Sequence, residues 1–169
     1  MSLGKGQIVS SPNNSDDTMS IEFFVAGVPQ PQGSSSGFLR GGKVVVTSAN
    51  PRLKAWRAAV AQVAAGRVQS PIDGPCMTEM WFYLPRPKSH YGTGRNAGKL
   101  VPSAPAHHTT KPDADKLERA VNDSLTTAGI WTDDCVVTDT ARYKAYAFAD
   151  GARPWLNQET GVRVVVTPL

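Results

Sequence analysis

The segment that most constrains the fold lies between residues 111 and 144, where a helical pattern is followed by a β-rich run. Four apolar residues recur at the three- and four-residue spacing of one helix face, namely Leu117, Ala120, Val121 and Leu125. Gly129 follows, and glycine commonly ends a helix. The next run, CVVTDTARYKAYAFA, is rich in β-branched and aromatic residues and predicts a strand. We therefore expect a helix, a tight turn and a returning strand.

Other runs extend this plan to the whole chain. Strands are predicted for IEFFVAGVP, KVVVT, CMTEMWFYL and GVRVVVTPL, and a first helix has one face formed by Leu53, Trp56, Val60 and Val63. The Gly/Ser-rich stretch GSSSGFLRGGK predicts a flexible loop. The order β–β–α–β–loop–α–β–β predicts one α/β (α+β) domain with a mixed sheet and two main helices. A chain of 169 residues is long enough for one such domain.

The ends and the cysteines carry less information. Residues 1–18 are polar and aperiodic and predict a disordered lead, with the domain over residues 19–169. No apolar run approaches the roughly 18–20 residues that span a bilayer, and no export signal precedes the domain, so we expect a cytoplasmic protein without a membrane segment. Cys76 and Cys135 lack metal-ligand spacing and are expected to be buried strand thiols.

Charge is distributed unevenly along the chain, whose formal net charge is +4. Residues 23–72 contain six Lys or Arg and no acid, and residues 80–112 contain five and again none. From Asp113 onward, nine acids face six bases. A basic surface around a small acidic centre suits a polyanionic substrate held over bound cations.

Carboxylates flank the second predicted helix at both ends. Asp113 and Asp115 lie at its head, where Pro112 favours extended chain and residues two apart share a side. Asp133 and Asp134 lie just past its other end, and return to the first pair only if the following strand pairs beside it. Three or four converging carboxylates would bind Mg²⁺, or Mn²⁺ in its place.

Each of these acids also has a structural interpretation. Asp115 stands three residues before Glu118, as in a capping box that opens a helix. An Asp-Asp pair is common in turns. A capping role leaves Asp113 unexplained, and it is the joint arrangement around one helix that favours a functional site.

The segment KPDADKLERAVNDSLTTAGIWTDDCVVTDTARYKAY resembles the core of the RusA family of Holliday-junction resolvases of bacteria and their prophages. The matching pieces appear in the family's order as Asp113, Asp115, Asp123, Gly129, Asp133, Asp134 and Lys144. Outside this segment only the layout of strands, basic loop and helix agrees. The resemblance implies a RusA-like fold and a Mg²⁺-dependent homodimeric endonuclease that nicks four-way DNA junctions symmetrically in recombination and repair.

The resemblance also implies roles for individual residues. Asp113, Asp115 and Asp134 would bind the metal, with Asp133 as a neighbour or auxiliary ligand. Lys144 would be a supporting base near the phosphate.

Arg119 departs from the family pattern, because the family typically has a catalytic lysine in its place. Arginine keeps the charge and can bind a phosphate through two donors, but it does not donate a proton near neutral pH. We expect Arg119 to stabilise charge in the transition state, since phosphoryl transfer depends mostly on positioning and electrostatics. The alternative is an ion pair with Asp115 on an exposed helix face.

The loop between Pro85 and Lys111 holds all three histidines and is longer than in compact family members. DNA contacts are expected from the basic residues of this loop and of the earlier Gly/Ser-rich stretch: Arg40, Lys43, Arg86, Lys88, Arg95, Lys99 and Lys111. His107 and His108 lack a third ligand for zinc and are expected to be loop or DNA-contact residues. Phe38 fits a wedge at the junction centre and a core position equally well.

Two other functions stay open on the sequence. The first is a catalytically impaired, junction-binding prophage remnant in which Arg119 has replaced a needed lysine. The second is another Mg²⁺-dependent enzyme of phosphoryl or glycosyl transfer that uses Asp-x-Asp. The short chain and the lack of a Gly-rich nucleotide-binding turn count against the second.

Overall fold

The computed structural model describes residues 20–33, 35–48, 50–147 and 159–169. The strands are β1 Ile21–Ala26, β2 Ser35–Arg40, β3 Lys43–Ser48, β4 Cys76–Leu84, β5 Val137–Tyr146 and β6 Gly161–Pro168, and the helices are α1 Leu53–Ala64 and α2 Ala114–Thr127. The predicted lead, residues 1–18, lies outside the described residues, as do the side chains of Phe38 and Arg40. No helix among the described residues is long and apolar enough to cross a membrane.

The main sheet has four strands in the order β1-β6-β4-β5. β6 pairs antiparallel with both β1 and β4, whereas β5 pairs parallel with β4. The two α-helices contribute to one core on a single face of this sheet. The structure thus confirms the predicted α+β domain with a mixed sheet and two main helices.

The core follows from the periodicity of the elements. Leu117, Val121 and Leu125 of α2 are fully buried, and the alternating residues Met80 and Phe82 of β4 face them across the core. Apolar side chains of this size stabilise the fold by about 1.5–3 kcal/mol each when they leave water. The predicted apolar faces of both helices are therefore the faces that attach them to the sheet.

The Gly/Ser-rich stretch forms a strand, so its prediction as a flexible loop is wrong. β2 and β3 form a separate antiparallel hairpin with Arg40 opposite Lys43. The turn between them is Gly41–Gly42, both with positive φ (59° and 76°). Such φ values suit two-residue hairpin turns, and glycine adopts them without steric cost. The turn and the β-rich partner strand override the loop-like composition.

The start of α2 also differs from the prediction. Asp113 is the extended residue that precedes the helix, whereas Asp115 already lies in its first turn. The capping box does not form, because Glu118 faces the sheet and bonds to Thr140 and Arg142 instead.

The two cysteines differ in environment. Cys76 is buried in β4 as expected, but Cys135 is exposed. It lies in the short 3-10 turn Asp134–Val136 that precedes β5, and not in the strand itself.

Candidate active site

A cleft of about 710 Å³ opens at the N-terminal end of α2. Its walls come from residues 28–31 and Gly33 after β1, from Leu84, Pro85 and Pro87 around the end of β4, and from the segment leading into α2. Asp113, Lys111, Lys116 and His108 line it, together with Arg52 from the start of α1. The cleft thus places one predicted metal-binding residue among several cationic side chains.

Asp113 contributes a half-exposed carboxylate to this cleft. Its side chain makes no capping hydrogen bond with the helix, and Oδ2 lies 3.2 Å from Lys116 Nζ. An exposed pair of this kind is worth about 0–1 kcal/mol. Asp113 can therefore exchange Lys116 for another cation at little cost. Asp115, two residues later in the first turn of α2, is also exposed.

Lys144 lies beside the segment that carries Asp113, at the far end of β5. Its Nζ donates hydrogen bonds to the backbone oxygens of Thr110 at 2.7 Å and Pro112 at 2.8 Å. Charge-assisted bonds of this length are among the stronger ones in proteins. The structure thus brings Lys144 and the Asp113 segment together, and the ammonium group holds the backbone just before the helix.

The long basic loop is attached to the end of β5 through Tyr146. The Arg86 guanidinium lies 4.0 Å from the centre of the Tyr146 ring, and the rings of His108 and His90 lie 4.8 Å and 5.5 Å away. Arg86 Nη1 also donates to the Pro105 oxygen at 2.9 Å. Arg86, predicted to contact DNA, is therefore directed inward.

The other predicted DNA-binding residues of this loop are exposed, namely Lys88, Arg95, Lys99 and Lys111. Lys43, in the separate β2–β3 hairpin, is exposed as well. The loop has no regular element except two short 3-10 turns, Lys88–His90 and Gly94–Asn96. His107 is also exposed. This surface carries the positive charge that the sequence predicted for it.

His108 differs from its neighbour in being partly buried. Burial lowers the pKa of His108 below its ordinary value, and the positive charge of Lys144 and the nearby His90 act in the same direction. Its Nδ1 is buried and has no hydrogen-bond partner among the described residues. His108 thus presents a neutral ring to the cleft near pH 7.

Asp133 and Asp134 lie at the opposite end of α2. Asp133 Oδ1 accepts a hydrogen bond from the Cys135 backbone N–H at 2.9 Å, which holds the pKa of Asp133 below its ordinary value. Asp134 begins the turn that follows and is exposed. Together with Asp123 and Arg57, whose charged groups are 3.4 Å apart, the pair lines a small pocket at this end of the helix.

The two groups of carboxylates do not meet within one chain. The 14 residues of α2 separate Asp113 from Asp133 and Asp134, and a helix of that length spans about 21 Å. β5 then runs back along α2, so its end, with Lys144, reaches the Asp113 segment while its beginning does not. No three His, Cys, Asp or Glu side chains in the described part of the chain could hold a metal ion together. One chain by itself does not fit the expected metal site.

Glu118 and Arg119 are neighbours on α2 that lie in different environments, one buried and one exposed. Arg119 is exposed, and no ion pair with Asp115 forms among the described residues. Glu118 is 9% exposed and accepts hydrogen bonds of 2.6 Å from Thr140 and from Arg142. Sequence reasoning missed this link between α2 and β5. The sequence did contain a pattern that indicates this link. Glu118 lies three residues before Val121 and seven before Leu125, which places it on the buried face of α2.

Comparison with known proteins assigns the chain to a class of DNA-cleaving enzyme. The family model described as Endodeoxyribonuclease RusA matches residues 26–167. The uncharacterized protein YqaN of Bacillus subtilis (strain 168) is 34% identical over 128 residues, which cover 75% of this chain and 88% of YqaN. The chain therefore belongs to the RusA endodeoxyribonuclease family. This family implies hydrolysis of DNA phosphodiester bonds, and its nucleases generally depend on metal ions.

Proposed function

We propose that this protein is a Mg²⁺-dependent, structure-specific endonuclease of the bacterial cytoplasm that nicks four-way DNA junctions symmetrically as a homodimer. The observation that supports this function best is the position of Asp113. It lies at the head of α2 in a cation-lined cleft, beside an exposed basic loop, in a chain of the RusA family. The same family match favours nuclease chemistry over the glycosyl-transfer alternative.

The charge around the cleft suits the phosphate backbone of branched DNA. Lys88, Arg95 and Lys99 are exposed on the long loop, and Lys111 continues the same charge into the cleft. Lysine and arginine at such positions release counterions from DNA, which makes binding strong and dependent on salt. Contacts of this kind position the duplex arms without reading their sequence.

An edge strand offers a way for two chains to complete the acidic site. β5 is the last strand of the sheet, and its outer edge has no partner strand among the described residues. A ten-residue edge presents a row of unpaired backbone groups that readily pair with another strand. Two identical edges pair antiparallel about a two-fold axis, the commonest symmetry of homodimers.

Antiparallel pairing of this kind places the start of one β5 beside the end of the other. Asp133 and Asp134 precede the start of β5, and Lys144 near its end contacts the Asp113 segment. The partner's Asp134 would then approach Asp113 and Asp115 of the first chain, although within one chain α2, about 21 Å long, runs between the two groups. We propose that each nuclease site uses carboxylates from both copies.

The residues of this composite site have distinct roles in the proposal. Asp113, Asp115 and the partner's Asp134 would hold Mg²⁺, with the partner's Asp133 beside them, and the ion would supply an activated water and neutralise phosphate charge. Arg119 lies four residues after Asp115, on the same side of α2, and stabilises negative charge on the phosphate. Lys144 keeps the Asp113 segment in position.

The proposal is tested by Asp113→Asn in a nicking assay on a four-way junction, with linear duplex as a second substrate. We expect Mg²⁺-dependent nicking to be lost while junction binding is kept, because the carboxylate charge is removed and the basic loop is untouched. Asp73→Asn, an exposed acid outside both carboxylate groups, serves as the matched control and should nick normally. Full nicking by Asp113→Asn would refute the assignment.

A junction-binding protein without nuclease activity is the second candidate function. It is favoured by Arg119, which stands where the family typically has a catalytic lysine. On this alternative the native protein binds junctions but nicks none in Mg²⁺ or Mn²⁺. Arg119→Lys separates the two ideas, since a gain of nicking from zero would show that the lysine is required.

A further inference from the structure

The cleft at the head of α2 has the size of a small-molecule site rather than of a duplex groove. Its volume of about 710 Å³ falls within the range typical of ligand pockets. Much of its lining is apolar, formed by Leu84 and by the proline rings of Pro29, Pro31, Pro51, Pro85, Pro87 and Pro112. Such a lining suits a planar, unstacked ring.

The rim of the cleft is positively charged. Arg52, Lys111 and Lys116 line it, and the acid among the lining residues, Asp113, is paired with Lys116. A ligand that matches this arrangement has a flat apolar part and an anionic group next to it. A nucleotide has both, namely a flat base and an anionic phosphate.

The cleft is held in shape before any ligand arrives. The Asn50 side-chain amide donates to Gln30 Oε1 at 3.1 Å and to the Pro31 oxygen at 3.4 Å. The backbone N–H of Gln32 donates to the Lys116 oxygen at 2.9 Å, which ties the wall after β1 to α2. A preformed site lowers the ordering cost of binding.

His108 adds an aromatic ring to the lining of this cleft. The centre of its imidazole lies 4.8 Å from the centre of the Tyr146 ring, and this contact holds the imidazole in place. Aromatic side chains, histidine included, stack against unpaired nucleobases.

We propose that the cleft receives one unpaired nucleotide from the crossover of the junction, with its base between the proline walls and its phosphate on the Arg52–Lys111–Lys116 rim. This inference rests on the proposed junction-nicking function and adds a base-holding site beside Asp113. Enzymes that modify a DNA base extrude the nucleotide into a pocket at a cost of a few kcal/mol, and the cost is least for bases already unpaired. Bases at the crossover of a four-way junction are the ones with the lowest free-energy cost of unpairing.

Gly33 allows the cleft to be filled without disturbing the backbone. It lines the cleft, its φ is outside the left-handed region, and a Cβ built there would meet nothing within 4 Å. Gly33→Leu therefore places a side chain in the space proposed for the base. Gly74→Leu is the matched control, because Gly74 is equally open and lies away from the cleft.

The experiment places the fluorescent base 2-aminopurine at each crossover position in turn and measures its emission on binding, in Ca²⁺ to prevent nicking. The native protein and Gly74→Leu should raise the emission several-fold at one position, since the base leaves the stack, and Gly33→Leu should lose most of that rise while still binding the junction. Arg52→Ala should reduce the rise as well. Arg52 is exposed and makes no side-chain capping bond, so this variant keeps the test valid if Gly33→Leu misfolds.

Two outcomes would overturn the inference. One is junction binding without a rise at any crossover position, and the other is a rise that Gly33→Leu and Arg52→Ala both leave unchanged. Failure of the native protein to bind junctions at all would instead contradict the proposed function, and with it this inference. A separate measurement adds free deoxynucleoside monophosphates as competitors. If they reduce the increase in 2-aminopurine emission, the cleft binds a nucleotide without the rest of the strand.

Discussion

Lys144 shows, at the scale of single residues, how position refines an expected role. The resemblance implied a supporting base near the phosphate, and the structure places the ammonium group beside the segment that leads into Asp113. Its donors, however, are directed to the backbone oxygens of Thr110 and Pro112. Because these carbonyls lie just before Asp113, Lys144 fixes the backbone that leads into Asp113. Sequence order alone does not reveal this, since 32 residues separate Lys144 from Pro112.

His108 gives a residue-scale prediction about pH. Its folded-state pKa lies below the ordinary value of about 6.5, because burial, the positive charge of Lys144 and the nearby His90 disfavour the imidazolium. The unfolded chain therefore binds a proton more readily, and the free energy of unfolding should fall as pH drops below about 6.5. Urea unfolding at pH 7 and at pH 5.5 measures this, and His108→Asn should show a smaller loss. Equal losses for the two proteins would contradict the assignment.

At the scale of elements, the sequence predicted those strands and helices whose pattern is local. The apolar faces of α1 and α2 follow from helical spacing, and β4 and β6 from runs rich in apolar, β-branched and aromatic residues. β2 was missed because its pairing depends on the strand that follows and on the Gly41–Gly42 turn. Glu118 was assigned to the wrong partner because capping is a local pattern, whereas its true partners lie on β5.

The link between α2 and β5 gives an element-scale prediction. Glu118 is almost buried and Arg142 is about 41% exposed, so their 2.6 Å ion pair is only partly screened by water. We expect Glu118→Gln to lower the free energy of unfolding by about 1–3 kcal/mol, less than the 3–5 kcal/mol of a fully buried pair. A double-mutant cycle with Arg142→Gln, measured by urea unfolding, should give a coupling energy of about 1 kcal/mol. Strictly additive effects would show that the pair does not hold α2 to the sheet.

At the scale of the whole molecule, the sequence supplied the kinds of residue in the site but not their separation. Whether Asp134 returns to Asp113 depends on which strand β5 joins and on which side, and these pairings are non-local. The structure places β5 at the edge of the sheet and parallel to β4, so its beginning stays at the far end of α2. The same arrangement leaves the outer edge of β5 without a partner strand among the described residues, and the proposed two-chain site rests on that edge. On this proposal the acidic site belongs to the dimer and not to the single chain.

The most direct test of this account mixes two inactive proteins, Asp113→Asn and Asp134→Asn. If each site uses Asp113 of one copy and Asp134 of the other, a mixed dimer contains one site with both substitutions and one intact site. We therefore expect each variant alone to be inactive on a four-way junction, and the mixture to regain nicking of one strand for each junction bound. Mixed dimers, verified by co-purification through a tag on one variant, that stay as inactive as the separate proteins would contradict the shared site.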